Sequence, residues 1–264
     1  MANEKSITSV GEGIDLPTVR KISSADLRSA LVSGLDDFMA MPTHVVLLVI
    51  IYPIVGIFLF RLSFGYDVLP LLFPLISGFA LIGPLAAVGL YELSRRREKG
   101  LDSSFGHAFD PFRSPSIVAI AILGVVQLAI YFTWLATAFT IYKVTFGDFE
   151  PTSIMGFVSQ VLTTPEGHAL IWIGCSVGFL FAVAVFAISV VSFPLLLDKD
   201  VGVTVAIQTS LKTVMANPTT MAIWGVIVAG LLGLGALPFF FGLAVTMPVL
   251  GHATWHLYRK VVVH

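Results

Sequence analysis

The sequence predicts an all-α integral membrane protein: six transmembrane helices in three hairpins, each hairpin preceded by an amphipathic helix lying along the cytoplasmic interface. Three observations carry this prediction. The chain of 264 residues is 56% hydrophobic and only 12% charged, about half the charged fraction of a soluble domain. Its apolar runs reach roughly twenty residues, the length that crosses the ~30 Å hydrocarbon core of a bilayer. The third observation is internal repetition. The run from Leu69 to Lys99 closes on Tyr91 and then Arg95, Arg96, Arg97 and Lys99, and at an offset of 164 it matches the C-terminal run. That offset lays Gly78 on Gly242, Ala80 on Ala244, Pro84 on Pro248, Tyr91 on Trp255, Leu93 on Leu257 and Arg95 on Arg259.

Residues 1–22 have no apolar segment of the kind a cleaved signal peptide needs and read as a flexible cytoplasmic tail. From Ser23 the pattern turns helical. Leu27, Ala30, Leu31, Gly34, Leu35 and Phe38 fall on one face, Arg28, Ser29, Ser33, Asp36 and Asp37 on the other, and Ser23 or Ser24 can cap the start. So polar a helix suits the interface, with Leu31, Leu35 and Phe38 toward the bilayer or the bundle. Asp36 and Asp37 then read as solvated charge. Pro42 opens the first span, about 43–63, and the second returns at about 69–92.

The basic loop 93–114 repeats the interfacial stripe more roughly with Phe105, Ala108, Phe109 and Phe112. Ser114-Pro115 is an N-cap followed by proline, and opens a long third span at about 116–142. A connection over 143–164 carries a short amphipathic turn, and Thr164-Pro165 opens the fourth span, about 168–196. The next interfacial helix covers Asp198 to Asn217, with Ile207, Leu211 and Val214 as the counterparts of the first stripe. Here residues 30–43 overlay 206–219 at an offset of 176, sharing Ala, Leu, Met, Ala, Pro and Thr. Asn217-Pro218 caps the fifth span, about 219–236, and the sixth runs about 238–257. Residues 23–264 thus form one six-span domain of repeat units about 24–99, 101–199 and 200–260, the middle unit the most diverged.

The 15 Lys and Arg divide 13 to 2 across this layout, with only Arg61 and Lys143 on the minority side. By the positive-inside rule both termini are cytoplasmic. No basic patch is interleaved with aromatics, so nucleic acid is not an expected partner. The lone Cys175 allows neither an intrachain disulfide nor a cysteine metal cluster.

No Asp, Glu, Lys or Arg lies centrally in any predicted span, which argues against ion-coupled transport. Gln127, Thr133, Thr137, Cys175, Ser176, Ser189 and Thr246 are the polar groups left there, and such groups bond a neighbouring helix or their own backbone. Gly56, Gly78, Gly83, Gly89, Gly230 and Gly233 are expected to permit close helix contact. His252 and His256 stand at i and i+4, a spacing that can chelate a metal, but Trp255, Tyr258 and Arg259 beside them make an interfacial belt the simpler reading. The repeat sets Glu92 at the position of His256, so Glu92, His252 and His256 form the one cytoplasmic-mouth cluster worth testing. No catalytic, cofactor-binding or metal-binding residues are expected.

The segments GLYELSRRREKG and GHATWHLYRK, with the six-span layout, resemble an uncharacterised family of bacterial integral membrane proteins, a domain of unknown function. Some of its members carry the label cytochrome c oxidase subunit I. This chain has half that enzyme's spans and lacks its mid-membrane haem and copper histidines. The resemblance implies a bacterial inner-membrane location and no transferable catalytic residues, and leaves open an accessory place in a respiratory complex. The function expected is a non-enzymatic accessory or scaffold subunit that associates with other membrane proteins in the lipid bilayer. The alternative is a permease for a small, weakly polar solute or lipid.

Overall fold

The computed structural model describes residues 17–41, 56, 66–151, 153–237 and 241–263. The first predicted span falls outside the described residues except for Gly56, as do residues 1–16 of the predicted tail. Among the described residues the chain is helical, apart from one isolated antiparallel bridge between Val19 and Val262.

Helix α1 runs Ser24–Ala40, and its start follows from local chemistry: the Asp26 carboxylate accepts from the Ser23 N–H and hydroxyl, both at 2.9 Å. After a 3-10 turn (Tyr66–Leu71) come α2 (Leu72–Phe79), α3 (Gly83–Ala86) and α4 (Val88–Glu98), with a second 3-10 turn at Ala80–Ile82. Pro74 and Pro84 lie in this stretch, and each lacks the N–H that a continuous helix would use. A 3-10 helix, Phe105–Arg113, folds back on α4. Then follow α5 (Ile117–Phe146), α6 (Ile154–Thr163), α7 (Pro165–Ser189), α8 (Ser192–Asp198), α9 (Gly202–Ala216), α10 (Pro218–Ala236) and α11 (Leu243–Val261).

Among the described residues, four segments are long and apolar enough to cross a membrane: Leu69–Glu98, Ile117–Phe146, Pro165–Asp198 and Pro218–Ala236. They coincide with the predicted second to fifth spans. At ~1.5 Å per residue the 30 residues of α5 extend ~45 Å, so this helix tilts or protrudes beyond a ~30 Å core. Within these segments several polar side chains bend back on their own helix. Thr133 donates to Ala129 O at 2.8 Å, Thr137 to Thr133 O at 2.8 Å and Ser189 to Val185 O at 2.6 Å. Gln127 has neither kind of partner: it is 0% exposed, and neither amide atom is hydrogen-bonded among the described residues.

The helix starts show which local signals carried. Thr164 caps α7 as its sequence predicts, accepting from Gly167 N–H at 3.0 Å with Pro165 next. The Ser114 start is displaced: α5 begins at Ile117, and Ser114 instead accepts from Ser116 N–H at 3.2 Å. Asn217 makes no side-chain cap on α10. It accepts from Ile22 N–H at 2.8 Å and donates to Arg20 O at 3.1 Å, pinning the N-terminal segment. The tail expected over residues 1–22 is therefore docked over its last residues. Arg20 N–H also bonds Val261 O, and Val263 N–H bonds Thr18 O, both at 2.9 Å.

The main core joins α1, α4, α5, α8, α9, α10 and α11 around Trp224, Trp255, Tyr258 and Phe193, all buried. Helix α11 lies closely against α1, where a Cβ on Gly34 would fall 2.5 Å from Ala253 N. The packed face of α1 is Leu27, Ala30, Gly34 and Asp37. The predicted stripe lies beside this face: Leu31 and Phe38 flank it, and Leu35 is 48% exposed. In α9 the pattern recurs. Val205, Ala206, Thr209, Ser210 and Thr213 are buried while Ile207, Leu211 and Val214 are half-buried beside them. Small residues take the inner face because they let helices approach; the larger ones fill the shoulders. Gly78 and Gly89 do make close contacts, with Tyr131 and Trp134 and with Ala108, but Gly56, Gly83, Gly230 and Gly233 face open space among the described residues.

Candidate functional site

Three helix ends meet at the basic side of the fold and build one polar cluster. Helix α4 supplies Ser94 and Arg97, one turn apart. Helix α11 supplies His252 and His256, also one turn apart, and α1 supplies Asp37. The Ser94 hydroxyl donates to Asp37 Oδ2 at 2.6 Å and lies 2.7 Å from His252 Nδ1. His256 Nε2 lies 2.8 Å from the same Oδ2, and the Arg97 guanidinium pairs with Oδ1. Asp37 is 2% exposed, Ser94 0% and His252 1%. Burial alone pushes the Asp37 carboxyl upward, but the hydrogen bonds from His256, Ser94 and Arg97 outweigh it and hold the group below the usual carboxylate range.

This is a correction to the reading of Asp36-Asp37 as solvated charge. Asp36 is exposed; Asp37 is not. The helical phase explains it, since Asp37 follows Leu27, Ala30 and Gly34 at three- and four-residue steps and so shares their packed face. Glu92, grouped with His252 and His256 in the sequence, finds its partners elsewhere. Glu92, 1% exposed, is taken by its own helix. Arg95 grips it at 2.8 and 2.9 Å, and Arg96 approaches to 4.0 Å. A guanidinium fork one turn away reaches both carboxylate oxygens without bridging between helices, and bidentate geometry is the strong form of this bond. His252 and His256 do meet in the site, but Glu92 stands apart from them.

The surrounding groups close in pairs. Glu98 accepts from Trp255 Nε1 and Arg259 Nε, both at 2.9 Å, and Asp198 accepts from the Tyr258 hydroxyl at 2.9 Å and from Arg259 at 3.4 Å. In the adjoining 3-10 segment His107 bridges Asp110 at 2.7 Å and Asp102 at 3.2 Å. The cluster opens on one side into a cavity of about 350 Å³ lined by Ser33, Asp36, Asp37, Met39, Arg97 and His256.

Acid, hydroxyl and imidazole occur here together, but not in the order that makes a nucleophile. The hydroxyl stands between the acid and the imidazole and has a single proton. With Asp37 ionised, Ser94 gives that proton to the carboxylate, so His252 Nδ1 must be the donor to Ser94. An imidazole that donates to the hydroxyl cannot serve as its base, and a hydroxyl 0% exposed cannot reach a substrate. In the histidine pair, Nδ1 of His252 is turned to Ser94 and Nε2 of His256 to Asp37. Among the described residues no group of three His, Cys, Asp or Glu is arranged to hold a metal ion. What the arrangement does well is fasten three helices to one buried carboxylate.

Residues 72–198 match the model of a family described as "Predicted integral membrane protein (DUF2189)". The match covers 127 of the 264 residues, from α2 to α8, and takes in three of the four membrane-length segments. It bears out the resemblance to an uncharacterised membrane family. Glu92, Ser94 and Arg97 lie inside the matched stretch; Asp37, His252 and His256 lie outside it. No curated protein and no solved structure matches the chain.

Proposed function

We propose that this chain, an integral membrane protein by its family match and by its membrane-length helices, is a non-enzymatic scaffold or accessory subunit of a larger membrane assembly. One observation carries the reading: the buried polar groups of the cluster are satisfied by one another. Asp37, Ser94 and His252 close a single lock, and Glu92 closes another with Arg95. Such pairs hold a rigid platform. The apolar outer faces of α5, α7 and α10 then supply surface for lipid and for partner helices. Purification in mild detergent followed by mass spectrometry is expected to recover a membrane partner in fixed stoichiometry. A monodisperse protein with a continuous polar cavity between its repeats would overturn this reading.

The layout that goes with it has six spans, both termini cytoplasmic and a bacterial inner-membrane location, supported by the 13 to 2 division of basic residues. A cysteine placed at Asp148, whose side chain is fully exposed, is expected to react with an impermeant maleimide added outside. One placed at Ser103 is expected to stay unmodified, and the reverse pattern would invert the topology. The permease reading keeps one observation in its favour, the buried and unpartnered amide of Gln127 among the described residues. Gln127, His252 and Glu92 are the first residues to substitute in a transport assay.

A further inference from the structure

We propose that the cavity at the end of α1 holds the head of a zwitterionic glycerophospholipid whose ammonium bears N–H donors, of the phosphatidylethanolamine type. Its walls have opposite signs. The cation in its lining is Arg97. Arg97 is two-fifths exposed, and of its five N–H donors the Asp37 pair takes only part, so the rest of the fork is presented to the cavity. On the other side stands Asp36, exposed and without a hydrogen bond or ion pair among the described residues, with the Ser33 hydroxyl one turn before it. Asp37 is buried, and its oxygens are already taken by Ser94, Arg97 and His256.

A phosphate placed on the free N–H groups of Arg97 sets the ammonium of the same head toward Asp36. The third wall says where the rest of the ligand goes. Met39 is 67% exposed and continues into Val32 and Leu35, an apolar stripe at i, i+3 and i+7 along the outer side of α1. Acyl chains lying on that stripe leave the head in the cavity, which a water-soluble zwitterion cannot do. The chemistry also discriminates among lipids. A choline head has no N–H to give Asp36, and a glycerol head brings an anion with no cation beside a carboxylate. The proposal rests on α1 lying at the membrane surface.

The test uses the full-length protein reconstituted in vesicles with equal parts of phosphatidylethanolamine, phosphatidylcholine and phosphatidylglycerol, released into the gas phase and weighed with its retained lipid. Retention of ethanolamine lipid about tenfold over choline lipid is expected, the ratio that one charge-assisted hydrogen bond sustains. Asp36→Asn is expected to remove that preference while leaving thermal stability unchanged. Equal retention of the three lipids, equal retention of the ethanolamine and glycerol lipids, or an undisturbed preference in Asp36→Asn would each overturn the site. Soluble glycerophosphoethanolamine competing as well as the lipid would overturn the bilayer source. A tryptophan placed at Met39 and probed with brominated acyl chains separates the premise: quenching without lipid preference sinks the site alone, and no quenching sinks the surface placement of α1.

Discussion

Replacing Gly34 with leucine is expected to remove nearly all of the protein from the membrane fraction. Even a single Cβ at this position would fall 2.5 Å from Ala253 N, 2.6 Å from its Cβ and 2.7 Å from its Cα. Those are rigid backbone and stem atoms, so the clash is relieved only by moving α1 off α11. Overpacking alone costs about 1–3 kcal/mol. Displacing α1 also draws Asp37 away from Ser94 and His256, adding the cost of an unpaired buried charge, about 3–5 kcal/mol. Together these approach the ~5–15 kcal/mol that holds a folded protein. Gly230→Ala is the control, since nothing stands within 4 Å of it among the described residues and alanine favours a helix. Membrane accumulation by immunoblot, with thermal unfolding in detergent, reads both. Equal amounts of Gly34→Leu and wild type would overturn the close approach of α1 and α11.

Asp37→Leu carries the second large effect, a loss of about 3–5 kcal/mol, because Arg97, His256 and Ser94 lose their common acceptor inside the fold. Asp37→Asn tests the charge separately. The wild-type carboxyl titrates below its unfolded value, so its contribution is fully present above the ordinary carboxylate pKa of ~3.9 and is lost as pH falls through the depressed folded value. Wild-type melting temperature in detergent should therefore fall on acidification below about pH 4, and the asparagine variant should fall less. Asp36→Asn, one residue away and exposed, should track wild type at every pH. A carboxylate without structural partners would make the two variants indistinguishable.

The sequence showed helices better than it showed what they hold. Membrane-length segments are legible because crossing a bilayer imposes one requirement, an apolar run of sufficient length, and α5, α7 and α10 meet it openly. Thr164-Pro165 was equally legible, since a cap needs only its own next turn. The site was less so. Asp36 and Asp37 look alike as neighbours, and only the positions of Ala30 and Gly34 mark which acid turns inward. That signal, small residues at three- and four-residue steps leading to an acid, was present but was outweighed by the larger Leu31, Leu35 and Phe38. Ser94 carried no signal: its hydroxyl matters because Asp37 and His252 arrive from positions 57 and 158 residues away. Glu92 misled for the opposite reason. Its partner Arg95 was adjacent on the same helix, and the repeat alignment drew attention across to His256 instead.

The pairing of Asp37 with His256 joins residues 219 apart in the chain, and Val19 bridges to Val262 beyond it. A ribosome adding ~5–20 residues per second reaches His256 roughly ten to forty seconds after Asp37 has been made. Throughout that interval the buried face of α1 has no α11 to cover it, and its carboxylate has neither histidine. Helix α1 must therefore wait while the elements between it and α11 are synthesised. A chain that stops before His252 carries an open Asp37 face for its whole lifetime, a built-in mark by which a cell's proteases can tell an unfinished copy from a complete one.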